Sequence, residues 1–239
     1  MNRIIPLLIV LLVLFTPVAF AQIQISEVVP NSLTNVEGDT QSGLVFDCLT
    51  AFRPSMRYQQ VYLNSQIVDR PAEIISINFR PTEDQPTLTP MVIPQLQIDM
   101  SITQTDPGDL ALTFADNLGP VVTTVYDGPY TVAFPSCGNG PCPFDVKVPL
   151  QTPFMYDPSQ GNLIIDIRVP ECIDLGPGVF MDATDFNTSD SSKVFTSNTS
   201  VDDPQGDPNF LNDGGFVTQF EMILSPRNVP TLSQWGLIA

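Results

Sequence analysis

The sequence predicts an all-β protein with a single antiparallel β-sandwich of jelly-roll-like architecture. Three observations predict this fold class. Apolar and polar residues alternate in many short runs, as they do in strands that bury one face. Residues typical of turns separate these runs. The chain also has 24 prolines among 239 residues, too many for long helices, because each proline removes a backbone donor.

The predicted strands follow one another with short turns between them. The clearest alternation places Ile98 and Met100 on one face of a strand and Asp99 on the other. Strands are predicted at 23–28, 58–63, 75–79, 96–102, 121–126, 130–134, 144–150, 163–169, 193–197 and 216–224. In the third strand, Ile75, Ile77 and Phe79 are expected to share the buried face. Turns are predicted at Asp106-Pro107-Gly108, Asp127-Gly128-Pro129, Asp157-Pro158 and Asp213-Gly214-Gly215, and one helical turn within 109–117.

The first 21 residues have the pattern of a secretory signal peptide. A short basic region is followed by an apolar run over residues 4–15. Ala19 and Ala21 satisfy the small-residue cleavage rule, so we expect the mature chain to begin at Gln22. The sequence shows no second composition regime, and we therefore expect one β domain over residues 22–226.

The chain is strongly acidic. Residues 1–21 contain one Arg and no acid, so their removal changes the formal net charge from −17 to −18. Proteins that bind phosphate backbones or anionic lipids rely on clusters of Lys and Arg. Nucleic acid is therefore not an expected partner.

The four cysteines predict two disulfides in an exported chain. Four cysteines allow three pairings. We favour Cys137 with Cys142, because Gly138, Gly140 and Pro141 give the intervening segment a flexible turn, and this leaves Cys48 with Cys172. A zinc site is not favoured, because the chain has no His and lacks paired knuckle spacings.

The segment 227–239 carries a motif at Val229, Pro230, Thr231, Leu232, Ser233, Gln234, Trp235 and Gly236. It resembles the IPTL-CTERM sorting signal of Gram-negative bacteria, with Val229 and Gln234 replacing the usual Ile and Glu. The resemblance implies an exosortase-type membrane processing enzyme as a partner, and a final location at the cell surface or outside the cell. In that family a spanning helix and a basic cluster follow the motif. Here Leu237, Ile238 and Ala239 follow it, so we expect either an anchor cut short at its first turn or a degenerate signal on a secreted protein.

The body of the chain shows a second resemblance, over residues 57–169. Its most specific part is the block 153–166, with the sequence PFMYDPSQGNLIID. It looks like a β domain common in PEP-CTERM-type exported proteins, a family that offers no catalytic residues to transfer. From the residues themselves, Asp157 is expected to form an Asx-type turn. The alternative is that Tyr156 and Asp157 contact a ligand.

Calcium is the remaining cofactor to consider. Asp202, Asp203, Asp207 and Asp213 lie in the loop 201–215 and offer the hard oxygen ligands that calcium prefers. The chain has no EF-hand or nonapeptide repeat. A solvated acidic loop is the favoured interpretation, with no cofactor.

The sequence gives little support for catalysis. Without His, the Ser-His-Asp and Cys-His mechanisms are excluded, while a carboxylate pair of the glycosidase type stays open. We therefore expect an exported, non-enzymatic surface or extracellular-matrix protein, with extracellular polysaccharide or other matrix proteins as further partners. The first alternative is a carbohydrate-binding module using tyrosine platforms, for which the candidates are Tyr58, Tyr62, Tyr126, Tyr130 and Tyr156. The second alternative is a glycan-active hydrolase.

Overall fold

A computed structural model describes residues 22–43, 55–172, 180–184, 189–196 and 200–226. The predicted signal peptide, Cys48 and the sorting motif lie outside these ranges. The strands within them are β1 (Ile23–Val29), β2 (Thr40–Ser42), β3 (Met56–Tyr62), β4 (Ala72–Phe79), β5 (Leu88–Thr103), β6 (Val122–Phe134), β7 (Val146–Tyr156), β8 (Asn162–Val169), β9 (Met181–Ala183), β10 (Ser191–Thr196) and β11 (Thr218–Leu224). One helical turn, α1 (Phe114–Asn117), lies where the sequence predicted it.

Two antiparallel sheets pack face to face. One has the strand order β1-β11-β4-β7 and the other the order β10-β3-β8-β5-β6, while β2 and β9 form a separate ribbon. When β10 and the ribbon are set aside, each sheet has four strands. Their orders, β1-β11-β4-β7 and β3-β8-β5-β6, are those of a jelly roll. The predicted all-β sandwich of jelly-roll type is therefore confirmed.

The main core lies between the two sheets. The ring of Tyr62 on β3 meets the ring of Phe220 on β11 edge to face, with centroids 5.0 Å apart. The hydroxyl group of Tyr62 also lies 3.0 Å from that of Thr218. Burial of one such aromatic side chain contributes about 1.5–3 kcal/mol, and contacts of this kind join the two sheets.

A second apolar cluster covers the outer face of the five-stranded sheet. The connection between β5 and β6, residues 104–121, crosses this face and places Leu110 and Phe114 on Val61, Ile164 and Val194. Strand β3 is consequently buried on both faces. This layer also encloses polar side chains of β3 and β8.

Two details of the predicted strands are wrong. A turn was predicted at Asp127-Gly128-Pro129, but this segment lies inside the continuous strand β6. The chain does not reverse there, and only the register of β6 against β5 shifts nearby. In β4 the register shifts between Ile74 and Ser76, so Ile74 is buried and Ile75 is partly exposed. A bulge explains the second error, because it displaces a residue from strict alternation.

A buried ion pair fixes the ribbon to the sandwich. Arg80 lies 2.6 Å from the carboxylate of Asp182 and donates to the carbonyl oxygens of Leu33 and Val36. The other carboxylate oxygen of Asp182 accepts the backbone N–H of Gly38 at 2.8 Å. One guanidinium thus connects the end of β4, the β1–β2 connection and β9.

Cys137 and Cys142 form a disulfide with a Cα–Cα distance of 5.8 Å, the pairing that the sequence favoured. Cys172 is also disulfide-bonded, and its predicted partner Cys48 lies outside the described residues. No helix in the described part of the chain is long and apolar enough to cross a membrane.

Candidate functional site

A large cavity among the described residues lies where two edge strands separate. Strands β6 and β7 flank one side of the sandwich, and side-chain hydrogen bonds join them. Tyr130 donates to the carbonyl oxygen of Lys147 at 3.0 Å, and the N–H of Asp127 donates to the side chain of Gln151 at 3.0 Å. Beyond these bonds, the first residues of β6 and the last residues of β7 enclose a groove of about 920 Å³.

The groove has two walls. The first is formed by residues 116–123, at the end of the β5–β6 connection and the start of β6, and the second by residues 153–160, at the end of β7 and just after it. Both walls pack closely against β5. In one wall, a Cβ atom at Gly119 would overlap the carbonyl oxygen of Ile102. In the other wall, Gly161 has a φ of 140° and a Cβ there would overlap the carbonyl oxygen of Thr103. Glycine permits both approaches because it has no Cβ. Gln104 donates to the carbonyl oxygen of Gln160 at 2.6 Å and links the walls.

Buried polar side chains hold the first wall in place. The amide of Asn117 donates to Gln59 of β3 at 3.0 Å and to the carbonyl oxygen of Ala111 at 2.9 Å. Gln59 in turn donates to the carbonyl oxygen of Phe114 at 3.1 Å. The guanidinium of Arg57 lies 4.4 Å from the ring centroid of Phe114. The β5–β6 connection is therefore anchored to the sheet beneath it.

The lining combines an apolar surface with a few polar groups. Val121 is 72% exposed and Met155 57%, so part of the apolar surface faces water. The apolar lining residues are Ile102, Leu118, Pro120, Val121, Pro153, Phe154 and Met155, and the polar ones are Thr103, Gln104, Thr105, Asp116, Thr123 and Gln160. Pockets of this composition and size commonly bind small organic ligands.

The charge of the groove limits its chemistry. Asp116 is the one charged residue of the lining, and no Lys or Arg accompanies it. The groove therefore does not favour anionic ligands. Hydrolysis of a glycosidic bond normally uses two carboxyl groups on either side of the scissile bond, and this lining offers one.

Tyr156 and Asp157, the possible ligand residues of the sequence, lie next to the groove but do not line it. Their side chains stabilise the local backbone instead. Tyr156 is fully buried, and its hydroxyl group donates to the carbonyl oxygen of Gly161 at 3.0 Å. Burial raises the pKa of this hydroxyl group. Asp157 accepts the hydroxyl group of Ser159 at 2.7 Å and its backbone N–H at 3.0 Å, forming the expected Asx-type turn. These bonds and one from Gln160 lower the pKa of Asp157.

Other residues of the same block face the groove. Pro153, Phe154, Met155 and Gln160 line it, although Tyr156 and Asp157 are the residues of this block that the sequence suggests as ligand contacts. Strand alternation along β7 was the available signal, because it places Met155 on the exposed face and Phe154 and Tyr156 on the buried face. The sequence does not show that the β5–β6 connection returns to face this strand.

The tyrosines do not form a binding platform. All five lie within the described residues, and Tyr58, Tyr62 and Tyr156 are fully buried. Tyr130 is 7% exposed, while Tyr126 is partly exposed and packs edge to face on it. These five tyrosines therefore do not form the exposed row that a carbohydrate-binding module would use.

The four loop aspartates take part in separate local contacts. The carboxylate of Asp203 accepts the N–H of Gln205 at 3.0 Å, and that of Asp207 caps a helical turn through the N–H of Asn209 at 2.9 Å. The backbone of Asp202 donates to Ser200, and Asp213 forms a β-bridge with Lys193. No group of three or more His, Cys, Asp or Glu residues in the described ranges is arranged to hold a metal ion.

Two other acids approach each other on the outer face of the five-stranded sheet. Asp99 and Asp166 are register partners, and the guanidinium of Arg168 lies 3.4 Å from one and 3.3 Å from the other. Arg57 forms a further ion pair with Asp166 at 2.7 Å. Each acid is thus already paired with a guanidinium.

The strand order and the groove together define a jelly-roll β-sandwich domain with a cavity between two edge strands. No protein-family model, curated protein or solved structure matches the chain.

Proposed function

We propose that this chain is an exported, non-enzymatic β-sandwich protein of the cell surface or extracellular matrix, delivered through a C-terminal sorting signal. The observation that carries the proposal is the motif at 229–236, which comes only a few residues after β11 ends at Leu224. A processing enzyme needs its recognition segment outside a folded domain. In the sequence the motif follows β11, the last strand among the described residues.

The N-terminal boundary of the sandwich supports the proposal. Strand β1 begins at Ile23, one residue after the expected first mature residue, Gln22. Cleavage after Ala21 would therefore leave every pairing of β1 with β11 intact. The Cys137–Cys142 disulfide also agrees with an oxidising compartment.

The acids of the chain support a non-enzymatic role. The groove contains a single carboxylate, and the facing acids Asp99 and Asp166 on the sheet are joined to Arg57 and Arg168. Each carboxylate of that pair is engaged in an ion pair with a guanidinium group, whereas a glycosidase presents its two carboxyl groups to the scissile bond.

A matched pair of tail variants tests the proposal. The full-length gene is expressed in a host with an exosortase-type enzyme, and the surface fraction is compared with the membrane fraction. Combined Pro230→Ala and Trp235→Ala substitutions should prevent processing and leave the protein in the membrane fraction. Asn228→Ala, outside the motif, should be processed normally. Equal surface delivery of both variants would contradict a sorting role.

Carbohydrate binding is the second candidate function. One observation favours it: the groove combines exposed apolar side chains with hydroxyl, amide and carboxylate groups. Sugars present apolar C–H faces and hydroxyl groups together. A glycan array probed with the purified exported protein tests this function, and complete absence of binding would remove it.

A further inference from the structure

We propose that the groove between β6 and β7 binds a neutral oligosaccharide, with the Asp116 carboxylate as its principal hydrogen-bond acceptor. This inference rests on the second candidate function and assigns it to a site. The groove has a volume of about 920 Å³, at the upper end of the range for ligand pockets. It is open to solvent along a strand edge, so it can accept part of a longer chain.

A peptide strand is a poor occupant of this groove. Strand addition needs a continuous row of backbone donors and acceptors on an edge strand. Pro149 and Pro153 remove two donors from β7, and Pro120 lies two residues before the first residue of β6. Proline in edge strands is a common barrier to such pairing. Recognition in the groove must therefore come from side chains.

An anionic glycan is also a poor occupant. The lining has one negative charge and no positive charge, on a protein with a net charge of −17. A uronic acid or sulfate group would meet repulsion without a compensating ion pair. The electrostatics favour a glycan without charged groups.

The polar lining suits the hydroxyl groups of a neutral sugar. The carboxylate of Asp116 makes no hydrogen bond or ion pair with any described residue, which leaves its oxygens available as charged acceptors. Gln104, Thr105 and Thr123 add groups that both donate and accept. Val121 and Met155 provide the apolar surface on which sugar C–H faces can pack.

The test uses cellohexaose, xylohexaose, chitohexaose and maltohexaose as neutral probes, with a polyuronic acid as the charged comparison. Binding to the full exported protein is measured by calorimetry. We expect Asp116→Ala to weaken the affinity for the preferred neutral probe about tenfold or more, because a hydrogen bond to a charged group is lost. Val121→Ser should weaken it as well.

Two control variants match these substitutions outside the groove. Asp109→Ala removes an exposed acid from the same connection, and Val92→Ser removes an exposed valine from β5; neither residue lines the groove. Both should leave the affinity within about twofold of the original, a difference well under 1 kcal/mol. Thermal unfolding of each variant verifies that the sandwich is intact.

The outcomes separate the site from the function. Neutral-probe binding that falls with Asp116→Ala and Val121→Ser, but not with the controls, supports the site. Binding that no groove variant weakens overturns the site and leaves carbohydrate binding standing. Preference for the polyuronic acid overturns the site, and no binding to any glycan overturns both.

Discussion

Asp99 and Asp166 lie directly opposite each other on β5 and β8, and the guanidinium of Arg168 contacts both carboxylates. Like charges in this register normally destabilise a sheet. Here Arg168 offsets the repulsion, and Arg57 pairs with Asp166 from the neighbouring strand. The same patch anchors the wall of the groove, because Gln59 donates to both Asp166 and the carbonyl oxygen of Phe114.

Removal of Asp166 should therefore destabilise the whole domain. In an Asp166→Ala variant Arg57 loses its partner in a buried site, which typically costs about 3–5 kcal/mol. Lys147→Ala is the matched control, because the Lys147 side chain in its ion pair with Glu221 is 55% exposed. Pairs of that kind contribute about 1 kcal/mol or less. Urea unfolding measures both changes, and equal losses would contradict the assigned role of the buried pair.

Glu37 should reduce stability at neutral pH. Burial raises the pKa of its carboxyl group above the ordinary value of 4.5, and the negative charges of Asp182 and Glu83 add to the effect. Arg80 and the N–H of Glu83 oppose it. The protonated form is thus favoured in the folded protein, and its stabilising contribution is complete below pH 4.5 and lost as the pH rises through the higher folded value.

The Glu37→Gln variant tests this dependence, because Gln keeps the acceptor for the N–H of Glu83 without the charge. The free energy of unfolding should be higher than in the original protein at pH 7. The difference should shrink as the pH falls towards 4.5. A variant that is less stable at pH 7 would show that the charge of Glu37 is favourable.

The two disulfides should differ in their effect on stability. The Cys137–Cys142 bridge spans a sequence separation of 5 and should contribute about 2 kcal/mol in the loop-entropy model. A Cys48–Cys172 bridge would close a much longer loop and contribute about 4–5 kcal/mol. Cys172→Ser should therefore lower the melting temperature more than Cys142→Ser. Non-reducing peptide mapping that links Cys48 to Cys137 would overturn the pairing.

Calcium should not stabilise the loop 201–215 selectively. Asp203 and Asp207 already accept local backbone N–H groups, so calcium should raise the melting temperature no more than magnesium at the same ionic strength. A calcium-specific rise that follows the ligand concentration and disappears with chelator would contradict this expectation. In that case, loss of the calcium-specific rise in a variant with both Asp203→Asn and Asp207→Asn would show that the ion binds this loop.

Alternation predicted the sandwich because the main-core residues of β5 and β8 recur at every second position, as Ile98 and Met100 or Ile165 and Ile167 do. It did not predict the ribbon of β2 and β9, whose strands are three residues long and are held by the distant pair Arg80 and Asp182. Part of the groove could be predicted from the sequence, because the block 153–166 stands out there and contains several of the lining residues. The groove-facing side chains were missed, because they depend on how the β5–β6 connection packs, and local sequence does not encode that.

Mass spectrometry of the mature surface protein tests the central proposal most directly. The full-length gene is expressed in a host with the processing enzyme, and both termini of the surface-exposed molecules are sequenced. We predict an N-terminus at Gln22 and a C-terminus near the sorting motif, with Trp235 absent. Molecules that retain residues 1–21, or surface molecules that mostly retain Trp235, would contradict export and processing as proposed.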